Sequence, residues 1–304
     1  MHTIVKGPRV TWVDIQNPDE EDIEYLKETY GFHPLVLEGL IPPAWRAKVD
    51  TFPNYLFFIY YYPIYNKAHK HTRSAELDVI VSRDVLITSH YASIVPLKSI
   101  LDHCNLYEEK RKDYMSQTAG HLLFNVLNEM RENTFVKLDR ISKKLHQIEE
   151  GIFQGNERQM LQEISMVKTD IINFWGIVNP QGEILESLRK EGIKLFGQEL
   201  EPYFTRLLGD WHQAANTLQV YKEMIEGLDG TNNALLTDKT NEIVKLLTIF
   251  AVIVFPLTLF AGIFGMNTDY LPIVGIPGDF WIITGAMIAG MIIMIGYIKW
   301  RKWI

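Results

Sequence analysis

Hydrophobic and polar positions change rhythm twice along this chain. Up to about residue 112 the apolar residues alternate in short runs. Arg9-Val10-Thr11-Trp12-Val13-Asp14-Ile15 is β-branched and period two, which predicts a strand. Tyr55 to Tyr65 is aromatic-rich and predicts a buried strand, while Ser74 to Ser82 and Val85 to His90 flank Arg83-Asp84 as a hairpin. Helices interrupt these strands. Asn17-Pro18 followed by Asp19, Glu20 and Glu21 opens one, with Asn17 as cap, Pro18 in the first turn and the acids against the positive end of the helix dipole; it should stop at Gly31. Ser93 to about Leu106 predicts another.

From Tyr114 apolar residues recur at three- and four-residue steps. Leu122, Val126, Met130, Phe135, Leu138, Ile141, Leu145 and Ile148 form one stripe, and Leu161, Ile164, Val167, Ile171 and Phe174 resume it after Gly155. The two stripes predict a long antiparallel helical hairpin. A third helical pattern starts at Pro202 and feeds into the apolar C-terminal part. By local rules Glu226-Gly227-Leu228-Asp229-Gly230-Thr231-Asn232-Asn233 is a turn that breaks it. If unbroken, Pro202 to Ile263 is a rod of roughly 90 Å at 1.5 Å per residue, needing neighbours along its length.

At Leu246 the charges cease. Leu246 to Met266 is 21 residues without one, about 31 Å as a helix, and Phe280 to Ile298 is a second uncharged run of 19. Both predict membrane spans. The chain thus divides into an α+β domain (1–112), a helical hairpin (113–200), a stalk helix (201–245), a first span (246–266), an outer loop (267–279), a second span (280–298) and a basic tail (299–304). The connecting loop carries Asp269 and Asp279 and no basic residue, whereas Lys239, Lys245, Lys299, Arg301 and Lys302 flank the other ends. The positive-inside bias places both termini in the cytoplasm, in a cytoplasmic or inner membrane. Trp281, Trp300 and Trp303 stand where interfacial anchors belong.

Bulk composition removes several classes. A net charge of -7 gives no electrostatic case for nucleic acid as a partner. The one cysteine, Cys104, excludes an internal disulfide framework. The N-terminus MHTIVKGPRV lacks the apolar core of a cleaved signal peptide. A mean hydropathy of -0.03 averages a soluble first part and an apolar last 60 residues. The Tyr and Phe of the first domain read as core rather than a stacking platform for bases. His69-Lys70-His71 reads as a solvated loop rather than a metal site. No nucleophile–base pair, phosphate loop or cofactor-binding pattern appears, so an enzyme is not expected, and neither is a cofactor.

Two spans are too few to enclose a polar path, so such a chain either anchors a domain or oligomerises around an axis. On the first span Asn241, Val244, Thr248, Ala251, Phe255, Thr258 and Gly262 lie at alternating three- and four-residue steps, a seam that faces neighbours in a bundle. It is polar at intervals and holds no acid or base. Periodicity alone leaves both a pore and a membrane-anchored sensor or scaffold open.

Gly265-Met266-Asn267 ends the first span, after Phe255-Pro256-Leu257-Thr258 and Ala261-Gly262-Ile263-Phe264, with Lys239-Thr240-Asn241-Glu242 before it and Gly31-Phe32-His33-Pro34-Leu35-Val36-Leu37-Glu38 far upstream. In these segments the chain resembles the CorA family of divalent-cation transporters, two-span proteins with a Gly-Met-Asn motif. The resemblance implies a funnel-shaped homopentamer in the lipid bilayer whose stalk helix continues as the pore-lining span. It implies that Asn267 forms a selectivity ring, presented by the turn at Gly265 and Met266, and that Asn241 and Thr258 are polar rings inside. Val244, Leu247 and Phe255 would be hydrophobic constrictions. The expected cargo is hydrated Mg2+ or Co2+, which neutral amides can hold without trapping.

Some positions depart from the family pattern. Its closing switch holds a regulatory metal between carboxylates, one following the Leu-Val-Leu-Glu segment. Here Glu38 is retained, Gly39 stands at that acid's place, and the facing acid falls at Arg206. Phe255 occupies a constriction that is often Met, and Ile273 stands where the outer loop often has an acid, leaving Asp269 as its main negative charge. These changes lean toward Ni2+ or Zn2+ transport, including a proton-coupled ZntB-like transporter, without the usual Mg2+-dependent switch, although the middle residue of that branch's motif usually differs.

Overall fold

The computed structural model describes residues 2–41, 48–66, 71–268, 271–301 and 303, and divides into two compact units, Met1–Gly230 and Thr231–Ile304. The first unit is built on six strands: β1 (His2–Lys6), β2 (Thr11–Gln16), β3 (Val49–Thr51), β4 (Leu56–Asn66), β5 (His71–Val81) and β6 (Val85–His90). They form one sheet in the order β1-β2-β6-β5-β4-β3. Every neighbouring pair is antiparallel except β2 and β6, which run parallel with Val13 opposite Ile87. The predicted hairpin around Arg83-Asp84 is present, tightened by Ser82 Oγ, which accepts from the backbone N–H of Val85 at 3.1 Å.

Alternation along the strands sends side chains to two separate cores. On one face Phe57, Ile59, Ile80, Ile87, Val13 and Ile15 are covered by α1 (Glu20–Tyr30) and the single turn α2 (Pro34–Leu37), through Leu26, Val36 and Leu37. The other face carries Trp12, Phe58, Tyr60, Leu77 and Val79. It is closed by α3 (Val95–Leu106), α5 (Ala119–Phe153), α7 (Gln181–Phe196) and the start of α8 (Glu201–Phe264), with α4 (Glu108–Met115) alongside. Burial of this kind stabilises by roughly 25 cal/mol per Å² of apolar surface removed from water.

Local capping differs from expectation at one end of α1. The cap is Asp19, whose carboxylate accepts from the N–H of Asp22 at 2.9 Å, while Asn17 takes a left-handed conformation with φ 53°. Asn tolerates that region, so it turns the chain instead of capping it. At the other end Gly31 stops the helix as read from sequence, with φ 65°.

The helical hairpin consists of α5 and α6 (Glu157–Val178), and its apolar stripe is buried apart from Phe135, which is half-buried, and Leu161, which is exposed. Leu161 lies one turn into α6, where the hairpin tip offers nothing to pack against. α7 then runs close to α8. Gly182 makes this approach possible, because a Cβ there would meet the Trp211 ring at 2.5 Å.

Glu226 to Asn233 is where structure and local rules part. α8 is helical throughout, 64 residues from Glu201 to Phe264, or about 96 Å. Each interior glycine costs about 1 kcal/mol relative to alanine. Against that, Ile225 and Leu228 are buried, and Asp229 pairs with Lys168 of α6 at 3.0 Å. Tertiary contacts override the turn signal.

The second unit contains the remainder of α8, a loop and α9 (Asp279–Trp300). Both helices are long and apolar enough to cross a membrane, and only 6% of the apolar window of each is buried. Most of what is covered falls on one stripe of each: Ile249, Ile253, Leu257, Phe260 and Phe264 on α8, and Ile283, Met287, Gly290, Met294 and Ile298 on α9, with Ala251, Val254 and Thr284 half-buried off these stripes.

The candidate ion path

The seam from Asn241 to Gly262 lies on the side of α8 away from the covered stripe that runs from Ile249 to Phe264. Ala251 is half-buried, and the other six seam positions are exposed. Val244, Leu247 and Phe255 are 53%, 63% and 72% exposed, so in a single chain these apolar side chains have no partner surface. The same spacing extends upstream through Thr237, Ala234, Gly230 and Gly227, all exposed, with open space where a Cβ would stand at either glycine. By local rules these glycines mark a turn. Counting the heptad back from Asn241 is the signal that places them on the seam.

Both hydroxyls of the seam are bound to their own helix. Thr248 Oγ1 donates to the Val244 carbonyl at 2.8 Å, and Thr258 Oγ1 donates to the Val254 carbonyl at 2.9 Å. With the single proton spent, each oxygen is left as an acceptor only. An acceptor-only oxygen suits a cation or the outward-pointing protons of its hydration water. Pro256 lies inside the helix and has no N–H, so the ladder bond to the Val252 carbonyl four residues back is not made. That carbonyl is a further acceptor, readable from Phe255-Pro256 and passed over.

The outer end is shaped by glycine. Gly265 N–H closes the last turn on the Ala261 carbonyl at 2.9 Å, and Met266 N–H reaches the Ile263 carbonyl at 3.3 Å. A Cβ on Gly265 would lie 3.1 Å from the Ala261 carbonyl oxygen, tighter than ordinary contact, so this tightened end favours glycine. Thr268 N–H then bonds back to the Met266 carbonyl at 3.2 Å, which bends the chain around Asn267. Asn267 and Asn241 are exposed, and neither amide has a hydrogen-bond partner among the described residues. Asp269 lies outside the described residues, as do His69 and Lys70; His71 begins β5. Beyond the loop Asp279 opens α9, its carboxylate accepting from the N–H groups of Gly275 and Phe280 at 3.0 and 2.7 Å. Ile273 has φ 75°, an uncommon conformation for a β-branched residue.

Far from this seam, Glu38 and Gly39 belong to a single 3-10 turn, Glu38–Leu40, that follows α2. Glu38 is exposed and makes no ion pair among the described residues. A Cβ on Gly39 would meet only the Phe57 ring, at an ordinary 3.7 Å, so sterics do not demand the glycine. Arg206 lies on α8, its side chain 63% exposed and 3.9 Å from Asp210. The described residues contain no group of three or more His, Cys, Asp or Glu able to hold a metal.

The sequence pattern defining CorA-like Mg2+ transporter proteins matches residues 8–300. The chain is 29% identical over 299 residues to the cobalt/magnesium transport protein CorA of Thermotoga maritima, covering 97% of this chain and 83% of that protein. It is 22% identical over 296 residues to the protein of that description from Methanocaldococcus jannaschii, covering 97% and 92%. Among solved structures, the CorA magnesium transporter from Methanocaldococcus jannaschii superimposes with a TM-score of 0.83 at 21% identity, over 97% of this chain and 92% of that one. The full-length CmaX protein superimposes with a TM-score of 0.73 at 16% identity, over 97% and 89%. These structures share the α+β N-terminal part, the long helix and the two C-terminal apolar helices.

Proposed function

This chain belongs to the CorA-like Mg2+ transporter proteins, and from that premise we propose that it imports hydrated Mg2+ or Co2+ through a pore shared by five copies. That it is a membrane-embedded transporter of divalent cations, and not an enzyme, follows from the family. The pore, its residues and the choice of ion are our reading. Asn267 forms the ring that meets the ion, with its amide oxygens facing a shell that Mg2+ gives up reluctantly. Thr258 and Asn241 are polar rings further in, while Val244, Leu247 and Phe255 close the path by excluding water. Thr248, Ala251 and Gly262 complete the lining. Gly265 and Met266 hold Asn267 in place, and Asp269 draws cations to the mouth. The termini face the cytoplasm, across a cytoplasmic or inner membrane.

The single observation that supports this reading is the uncovered seam on α8. It runs opposite the covered stripe of α8, has no charged residue from Asn241 to Asn267 other than the flanking Glu242 and Lys245, and leaves both terminal amides without a hydrogen-bond partner among the described residues. A membrane anchor has no need of acceptor-only hydroxyls spaced along one face. The test is ion flux into liposomes containing the purified protein. Flux of Mg2+ or Co2+ that survives unchanged in Asn267→Ala would remove the selectivity ring, and a stable monomer or dimer in detergent would remove the pentameric pore.

Gly39 and Arg206 favour a second reading, transport of Ni2+ or Zn2+ without Mg2+-dependent closure. Neither side chain can ligate a cation as a carboxylate does, and Arg206 brings a positive charge. Competition flux among the four ions, with and without a proton gradient, separates the two readings.

A further inference from the structure

We propose that the cavity between α5, α6 and the paired strands β4 and β5 is a binding site for a dianionic phosphoryl group. The cavity measures about 140 Å³. Its polar lining is Lys137, Arg140 and Lys144 of α5, Tyr65 of β4, Thr72 of β5 and Asp170 of α6, over an apolar floor of Ile141 and Phe174.

The three cations follow one another at steps of three and four, which puts them on one face of α5. Opposite charges are few. Lys143, which points elsewhere, is paired with Asp139 at 2.6 Å, whereas neither Arg140 nor Lys144 has an ion pair among the described residues. Asp170 is the one acid in the lining, and its Oδ1 accepts from the backbone N–H of Thr72 at 2.6 Å. Three positive charges therefore face one negative charge that a backbone donor already stabilises.

Lys137 is built into the wall rather than waving in solvent. Its Nζ donates to Tyr62 Oη at 2.8 Å and to the Pro63 carbonyl, and lies 3.9 Å from the Tyr62 ring centroid. An ammonium has three donors, so one is left for a ligand. Burial, and then the charge of Arg140, lower the Lys137 pKa to about 8. The site thus carries positive potential that Asp170 offsets only in part, and an entering anion would restore the lysine's charge. Lys144 Nζ lies 5.2 Å from the Tyr65 ring, which is 42% exposed.

Size narrows the ligand. At about 30 Å³ per water the cavity holds the equivalent of four or five waters, room for a phosphoryl head and not for a whole nucleoside beside it. Any ring attached to that head would lie outside, over Tyr65. Two sources share the chemistry, inorganic phosphate and a phosphomonoester such as adenosine monophosphate. A third, the headgroup of a membrane lipid, is not favoured, because it brings no ring to the half-exposed Tyr65 at the mouth.

The test is titration calorimetry on the full chain in detergent at pH 8 and low salt, with inorganic phosphate and with adenosine monophosphate, in two buffers of different ionisation heat. Both probes should bind with proton uptake, and the nucleotide should bind more tightly if its base rests on Tyr65. Arg140→Glu with Lys144→Glu should weaken binding at least about tenfold. Tyr65→Ala should erase only the nucleotide's advantage. Should the double variant not fold, Arg140→Gln alone carries the comparison. Equal affinity for the two probes assigns the site to phosphate itself. No binding of either probe, or unchanged affinity in the charge variants, overturns the proposal.

Discussion

Thr258 gives its hydroxyl proton to the carbonyl of Val254 at 2.9 Å, so the membrane-spanning helix spends the donor and leaves the acceptor. Serine preserves this bond and valine removes the oxygen at nearly constant volume. Thr258→Ser should keep most of the ion flux, while Thr258→Val should lower it by about an order of magnitude, the effect of losing a polar contact worth 1–2 kcal/mol. Flux in liposomes under one fixed gradient measures both. Equal rates for serine and valine would mean that Thr258 does not face the ion.

Asn267 offers a neutral amide with no partner among the described residues. Asn267→Ala should abolish transport. Asn267→Asp should bind the ion more tightly and release it more slowly, so its flux should saturate at lower concentration and reach a lower ceiling. A higher ceiling in the aspartate variant would contradict the hydrated-ion picture.

Phe255 is 72% exposed on the uncovered seam. If it meets its copies around an axis, the ring closes the path by keeping water out. Phe255→Ala should then raise basal leak several-fold, and isosteric hydrophobes such as leucine should restore closure. Leak that does not rise in the alanine variant would relocate the constriction to Val244 and Leu247.

Asp78 has a pH effect opposite to that of most carboxylates. It is 1% exposed and lies beside Glu76, and burial followed by the adjacent Glu76 charge and hydrogen bond raises its pKa to about 8. The folded state therefore holds this proton through a range in which the unfolded chain, with an aspartate near ~3.9, has lost it. Stability from this group is whole below about pH 4, declines as pH rises toward 8, and stays low above. Asp78→Asn should stabilise the first unit by an amount on the order of a few kcal/mol at pH 8 and little at pH 4. Melting curves at the two pH values show it; an equal shift at both would assign the effect to packing.

Gly39 and Arg206 stand where carboxylates of a Mg2+-held switch are expected, and Glu38 is exposed and unpaired among the described residues. Millimolar Mg2+ should therefore protect the N-terminal unit from proteolysis only weakly. Gly39→Asp with Arg206→Asp should create protection, since Gly39 has room for a side chain. Strong protection of the unaltered protein would point to other carboxylates.

Much of this was legible because period carries it. Strands β2, β5 and β6 announce themselves by alternation, β4 by its aromatic run, and the seam on α8 by its three- and four-residue steps. The motif ending at Asn267 points to the family. What stayed hidden was decided by partners remote in sequence. The turn signal at Gly227 and Gly230 is correct locally, and loses because Ile225, Leu228 and Asp229 find partners in the fold. Asp19 displaced Asn17 as cap by a difference in backbone conformation that composition does not register. The basic cavity needs two strands and two helices, so the spacing of Lys137, Arg140 and Lys144 along one helix does not announce it.

The parallel pairing of β2 with β6 also sets an order of events during synthesis. Thr11 cannot find Val85 until everything between them has left the ribosome, and the sheet's larger apolar face stays open until Phe204 and Leu207 arrive. A nascent chain paused before that point has this face covered by α3, α5 and α7 but not yet sealed by α8. Only after the face is closed do the two greasy helices emerge. The insertion machinery thus receives them from a chain whose aqueous part has everything it needs to be finished.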